Sequence, residues 1–103
     1  MIKHLTVVAF FTTLAAPSFA QADRLLACIK ELRLTYAKSR QIQMARPVGG
    51  WEALRPSAKA EISKKAQEDA RTLISVSGAD RNYVVCLTAL NNVRTECEAD
   101  KTC

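Results

Sequence analysis

Three of the chain's four cysteines fall within Asn82–Cys103, NYVVCLTALNNVRTECEADKTC. As a helix, this stretch places Tyr83, Cys86, Leu90, Val93 and Cys97 at steps of three, four, three and four, one stripe on one face. The fourth cysteine belongs to a second stripe. Leu25, Cys28, Ile29, Leu32, Tyr36, Ser39 and Gln43 share one face of a helix over Arg24–Ala45, about 100° wide. Few folds satisfy two helices that both turn cysteine inward, so this pattern limits the chain more than any other feature. The cysteine-rich third helix is expected to be the element on which the rest packs.

Whether the cysteines pair depends on the compartment. Residues 1–20 have the pattern of a secretory leader: Lys3 is the positive start, Leu5–Ala16 the apolar stretch, and Ser18-Phe19-Ala20 a small-x-small cleavage site. Cleavage is expected between Ala20 and Gln21, with an uncleaved amphipathic anchor as the alternative. The apolar stretch is shorter than the roughly 20 residues of a membrane span, so no span is expected. Leu25-Leu26-Ala27-Cys28 has the form of a lipidation box, but Asp23 and Arg24 separate it from the apolar run, and Cys28 falls on the inward face. Export places the four cysteines in the periplasm or outside the cell, where pairing is the default. Residues 21–103 are marginal for one hydrophobic core, and two disulfides would offset that shortage by roughly 2–4 kcal/mol each.

Loss of the leader also removes His4, the only histidine, and Lys3, taking the net charge from +5 to +4. Without histidine the mature chain has no Ser-His or Cys-His nucleophile, no imidazole general base and no imidazole metal ligand. The mild positive charge suits an unidentified protein or an anionic envelope partner.

Three helices are expected, over about 24–45, 57–76 and 81–98. Asp23 is read as the first cap. Pro47 and Gly49-Gly50 break the first helix. Trp51, in the connection, is read either as a lid on the core or as an exposed anchor. Pro56-Ser57 opens the second helix, whose inward face is thin: Ala58, Ile62, Ala66, Ala70, Leu73 and Val76. Glu61 can pair with Lys64 and Lys65 on its surface. Gly78 ends it in a left-handed cap, and Asp80 is read as the cap of the third helix. No stretch has strand periodicity.

Four cysteines allow three pairings. Cys86 and Cys97 lie about 16 Å apart along one helix, beyond the roughly 7 Å that a disulfide spans between Cα atoms. In an up-down-up bundle the first and third helices run parallel. Cys28, five residues past Asp23, and Cys86, six past Asp80, then lie at one height. Cys28–Cys86 with Cys97–Cys103 is therefore favoured over Cys28–Cys97 with Cys86–Cys103. There is no Cys-x-x-Cys and no zinc-type spacing, so the cysteines are read as structural.

No other chemistry stands out. Ser63-Lys64 and Lys38-Ser39 offer only the Ser–Lys proximity that any such composition contains. Glu96, Glu98 and Asp100 lack the loop of a calcium site, and no phosphate loop is present. Tyr36, Trp51 and Tyr83 are not interleaved with a basic stripe, so nucleic acid is not expected. No catalytic residue, metal or cofactor is expected. The candidate partner surface is the basic second half of the first helix with the connection: Lys38, Arg40, Arg46 and Trp51.

Cys86-Leu87-Thr88-x-Leu90 followed by Arg94-Thr95-Glu96 resembles the last helix of the LprI-type lysozyme-inhibitor domain, a small secreted helical module with paired cysteines. Ala27-Cys28, Glu31-Leu32, Tyr36 and Ala66-Gln67 are compatible with it. The chain departs from that pattern in its second helix, where Ala70-Arg71 and no cysteine follow, and Cys97 and Cys103 have no counterpart. The resemblance implies inhibition of a secreted hydrolase, and no inhibitory residue carries over. The residues themselves support an exported all-α three-helix bundle that binds without catalysing, with hydrolase inhibition, and then an enzyme, as alternatives.

Overall fold

The computed structural model describes residues 17–103. The expected leader lies outside them, save for Pro17–Ala20. Three helices make up the fold: α1, Pro17–Ala45; α2, Pro56–Ser77; and α3, Tyr83–Asp100. Two short 3-10 turns, Arg46–Val48 and Trp51–Ala53, connect α1 to α2, and no strand occurs among the described residues. The bonded cysteines are Cys28–Cys86, with Cα atoms 6.2 Å apart, and Cys97–Cys103, 5.0 Å apart. Cys28 is thereby committed to a disulfide rather than to a lipid.

The hub is α1, not the third helix. It packs along both of the others, whereas α2 and α3 scarcely touch. Contacts with α3 advance in the same direction along both helices, from Cys28–Cys86 through Glu31–Arg94 to Ser39–Thr102, so the two run parallel. Contacts with α2 run oppositely: Arg40 meets Asp69, and Gln41 meets Ser63. The physical reason is that α1 carries small or apolar residues on two sides. Ala37 sits about 180° around the helix from Cys28, and Met44 about 160°. One side takes α3 and the other takes α2.

Two clusters follow. Cys28, Leu32, Ile74, Ala79, Cys86, Leu90 and Val93 form the larger, joined by half-buried Leu25, Ile29, Leu73, Tyr83 and Ala89. Ala37, Ala66 and Ala70 form the smaller, with Met44. Tyr36 packs against both. The alanines let α1 and α2 approach closely but each removes little apolar area from water, at about 25 cal/mol per Å². Hydrophobic stability is therefore concentrated between α1 and α3.

The helix ends correct several expectations. Asp23 is internal to α1, which runs unbroken from Pro17. α3 is capped by Asn82, whose side chain accepts a hydrogen bond from the Val85 N–H at 3.1 Å, and not by Asp80, which lies in the preceding turn. Ile74, not Val76, closes the buried face of α2; Val76 is 81% exposed. The reason is the turn beyond it. Gly78 at φ +79° folds the chain back so that the Ala79 N–H reaches the Ile74 carbonyl, which turns Ile74 and Ala79 into the core. Lys65 pairs with Asp69 at 3.1 Å, not with Glu61.

α3 ends in the same motif, with the Thr102 N–H on the Cys97 carbonyl and the Lys101 N–H on Glu98. Here the left-handed position, φ 58°, is filled by an exposed lysine, where a Cβ is unfavourable. Lys101→Gly should raise stability by about 0.5–1 kcal/mol in urea unfolding, and a loss would show that the lysine side chain contributes to the native tail.

Candidate functional site

The second half of α1 is built around the end of α3. Ser39 and Thr102 are both buried and share a 2.6 Å hydrogen bond, 63 positions apart in the chain. The Gln43 amide donates to Ser39 Oγ at 3.3 Å and to the Asp100 carboxylate at 3.4 Å. Arg46 donates from Nη2 to the Asp100 and Lys101 carbonyls. Those oxygens are the unpaired acceptors at the C-terminal, negative end of the α3 dipole, and a guanidinium there is the favourable charge. The tail is thus clamped by α1 from Ser39 to Arg46, with the Cys97–Cys103 bond closing it from the α3 side.

The serine-to-threonine bond gives a sharp test. Ser39→Ala leaves the Thr102 hydroxyl buried without its partner and should cost about 1–3 kcal/mol in urea unfolding. Ser39→Ala combined with Thr102→Val removes both polar groups and should recover most of that loss. If the double variant instead loses the sum of the two single losses, the hydroxyls are not coupled.

Arg40 is also used internally. Its Nε and Nη2 lie 3.4 and 3.2 Å from Asp69 Oδ2, and its Nη1 donates to Gln43 at 2.8 Å. Lys65, on the other oxygen, and Arg40 hold the Asp69 carboxyl below the usual carboxylate range, against the opposing effect of its partial burial. A depressed carboxylate stabilises the fold above its unfolded value of about 4, and that contribution is lost as pH falls through the folded value. The urea midpoint of the native chain should therefore exceed that of Asp69→Asn at pH 6, and the gap should narrow as pH falls below the ordinary carboxylate range. A gap of constant size would mean that the carboxylate's charge is not what couples α1 to α2.

Trp51 is half-buried, between the two readings offered for it. Lys59 Nζ lies 5.8 Å from its ring centroid and 4.0 Å from Glu52 Oε2. Of the four expected contact residues, Lys38 and Arg46 are exposed and take part in none of the ion pairs among the described residues, but the Arg46 guanidinium is held on the α3 carbonyls, which leaves Lys38. The structure does not gather Lys38, Arg40, Arg46 and Trp51 into one surface: Arg40 faces α2, Arg46 caps α3, and Trp51 stands beyond the end of α1.

What remains open is the outer side of α1, which meets α3 only at Lys38, on the rim of a cleft with Arg94 and Cys103. Ala27, Lys30, Leu34 and Lys38 follow one another at steps of three, four and four, and all are exposed, Leu34 by 54%. Reading the chain as a sequence found Lys38 in this row and missed Lys30 and Leu34. The signal was present in the spacing, but it becomes legible only once both packed faces of α1 are known.

Three clefts open on the surface. One of about 430 Å³ is bordered by Arg24, Arg81 and Tyr83; one of about 340 Å³ by Tyr36, Leu73 and Val76; one of about 320 Å³ by Lys38, Arg94, Cys97 and Cys103. The third also holds Thr35, one turn from Lys38 on α1. Among the described residues no three His, Cys, Asp or Glu side chains gather as a metal site, and no helix is long and apolar enough to cross a membrane. Comparison with family models, curated proteins and solved structures finds no match for the chain.

Proposed function

We propose that the protein is exported and acts by binding, without catalysis, to an anionic envelope component or acidic protein through the outer side of α1. The observation that carries this reading is the Lys30–Leu34–Lys38 row. It is a part of the basic helix that internal packing leaves unspent, and it pairs two cations with one exposed leucine, whose burial against a partner would remove apolar surface from water. Arg40 and Arg46, being consumed in holding α2 and α3, belong to the scaffold that keeps α1 straight behind this row.

The test is co-sedimentation of the mature protein with envelope material from its native source. Retention should fall with rising salt and be lost in Lys30→Glu/Lys38→Glu, while Arg46→Ala keeps it to the extent that it stays folded. Absence of retention at low salt, or retention unchanged in the double variant, overturns this assignment. In parallel, slowed lysozyme turnover at molar excess of the protein would favour the hydrolase-inhibitor reading implied by the LprI-type resemblance.

A further inference from the structure

We infer that Cys97–Cys103 is a thiol–disulfide exchange site, open to a small thiol at Cys103, whereas Cys28–Cys86 is a permanent staple. The two bonds differ in every property that governs exchange. Cys28 and Cys86 are 6% and 0% exposed and lie inside the main cluster. An incoming thiolate cannot reach either sulfur without opening the α1–α3 core. Cys97 is likewise shut off at 1%, but Cys103 is exposed, on the rim of the 320 Å³ cleft. Attack is thus confined to one sulfur of one bond.

The chemistry around that bond favours the step. Lys38, Arg94, Glu31 and Glu98 border the same cleft, and Arg94 is paired with Glu31 at 3.6 Å. Lys38 is the cation left outside an ion pair there, and it favours the approach of an anionic thiol. The Arg94 carbonyl oxygen lies 3.3 Å from Cys97 Sγ and 3.8 Å from Cys103 Sγ. Once reduced, either S–H finds an acceptor already in place, so opening the bond creates no unsatisfied donor. The ring that opens is small, a separation of 6 against 58 for the other disulfide, so its opening restores less freedom to the unfolded chain.

The step balances without a further oxidant. An external thiolate forms a bond to Cys103 Sγ, the Cys97–Cys103 bond breaks, and its electron pair leaves on Cys97 Sγ, which takes up a proton. The product is a mixed disulfide at Cys103. A second external thiol attacking the external sulfur completes reduction and releases Cys103. The attachment also loosens the clamp, because Thr102, between the mobilised Cys103 and Lys101, is the residue that fills the pocket beside Ser39.

The experiment treats the oxidised protein with reduced glutathione at pH 7.5 without denaturant, quenches with an alkylating agent and maps the peptides. Glutathione should appear on Cys103 and not on Cys97. Cys97–Cys103 should open at least tenfold faster than Cys28–Cys86. Lys38→Glu should slow attack by glutathione several-fold more than attack by cysteamine, whose thiolate form is net neutral, a difference that loss of folding would not produce. Glutathione on Cys97, opening of both disulfides at one rate, or equal slowing of the two thiols by Lys38→Glu overturns the assignment.

Discussion

Replacing Cys28 and Cys86 together by alanine should lower the melting temperature by roughly 15–25 °C. In the chain-entropy model a cross-link between residues 58 apart is worth about 4 kcal/mol. In a domain of this length each kcal/mol moves the midpoint by about 4–8 °C. The staple joins α1 to α3 at the end of the main cluster opposite the tail clamp, and Cys86 Sγ fills space that alanine leaves empty. Replacing Cys97 and Cys103 instead removes the closure of a ring with a separation of only 6, worth about 2 kcal/mol, so a shift of roughly 10 °C is expected. Circular dichroism melts of the two double variants give the comparison. A larger loss from the second than from the first would mean that the tail, not the staple, holds α3 on α1.

Leu32→Ala is expected to cost about 3–4 kcal/mol, close to the limit that so small a domain can lose and remain folded at 37 °C. Leu32 is 0% exposed and stands where α3 meets α1 and the end of α2 closes over them. Truncation removes its transfer free energy and leaves a cavity walled by Cys28, Leu90 and Ile74, positions held by the disulfide and by the Gly78 turn, so collapse is limited. Leu34→Ala, two residues away and 54% exposed, should change stability by no more than about 0.5 kcal/mol. Urea unfolding of both variants separates the two sides of α1. Similar losses from both would mean that the outer row is packed in solution and is not a free contact surface.

The all-α fold, the breaks at Pro47 and Gly78, and the α3 stripe of Cys86, Leu90, Val93 and Cys97 were legible because each rests on local chemistry: helical period, a missing N–H, a positive φ. The pairing of Cys28 with Cys86 was legible for a topological reason, since parallel first and third helices put early residues side by side. The caps used to judge that height were not the right ones. α1 runs through Asp23 and α3 begins at Asn82, but both offsets are small against the three turns that separate Cys86 from Cys97. What the residues alone left hidden is tertiary. Nothing local marks Thr102 as buried, because its neighbours are a lysine and a terminal cysteine. Nothing local separates Arg40 and Arg46, which hold the scaffold, from Lys30 and Lys38, which do not. A basic amphipathic helix leaves open how many sides it packs, and here α1 packs two.

Most direct is non-reducing tryptic mapping of the oxidised protein, because the staple fixes the register of α3 along α1. The peptide Leu25–Lys30 should be found joined to Asn82–Arg94, and Thr95–Lys101 joined to Thr102–Cys103. A linkage of Leu25–Lys30 to Thr95–Lys101 would shift α3 along α1 by three turns, separate Ser39 from Thr102 and contradict the fold described for this protein.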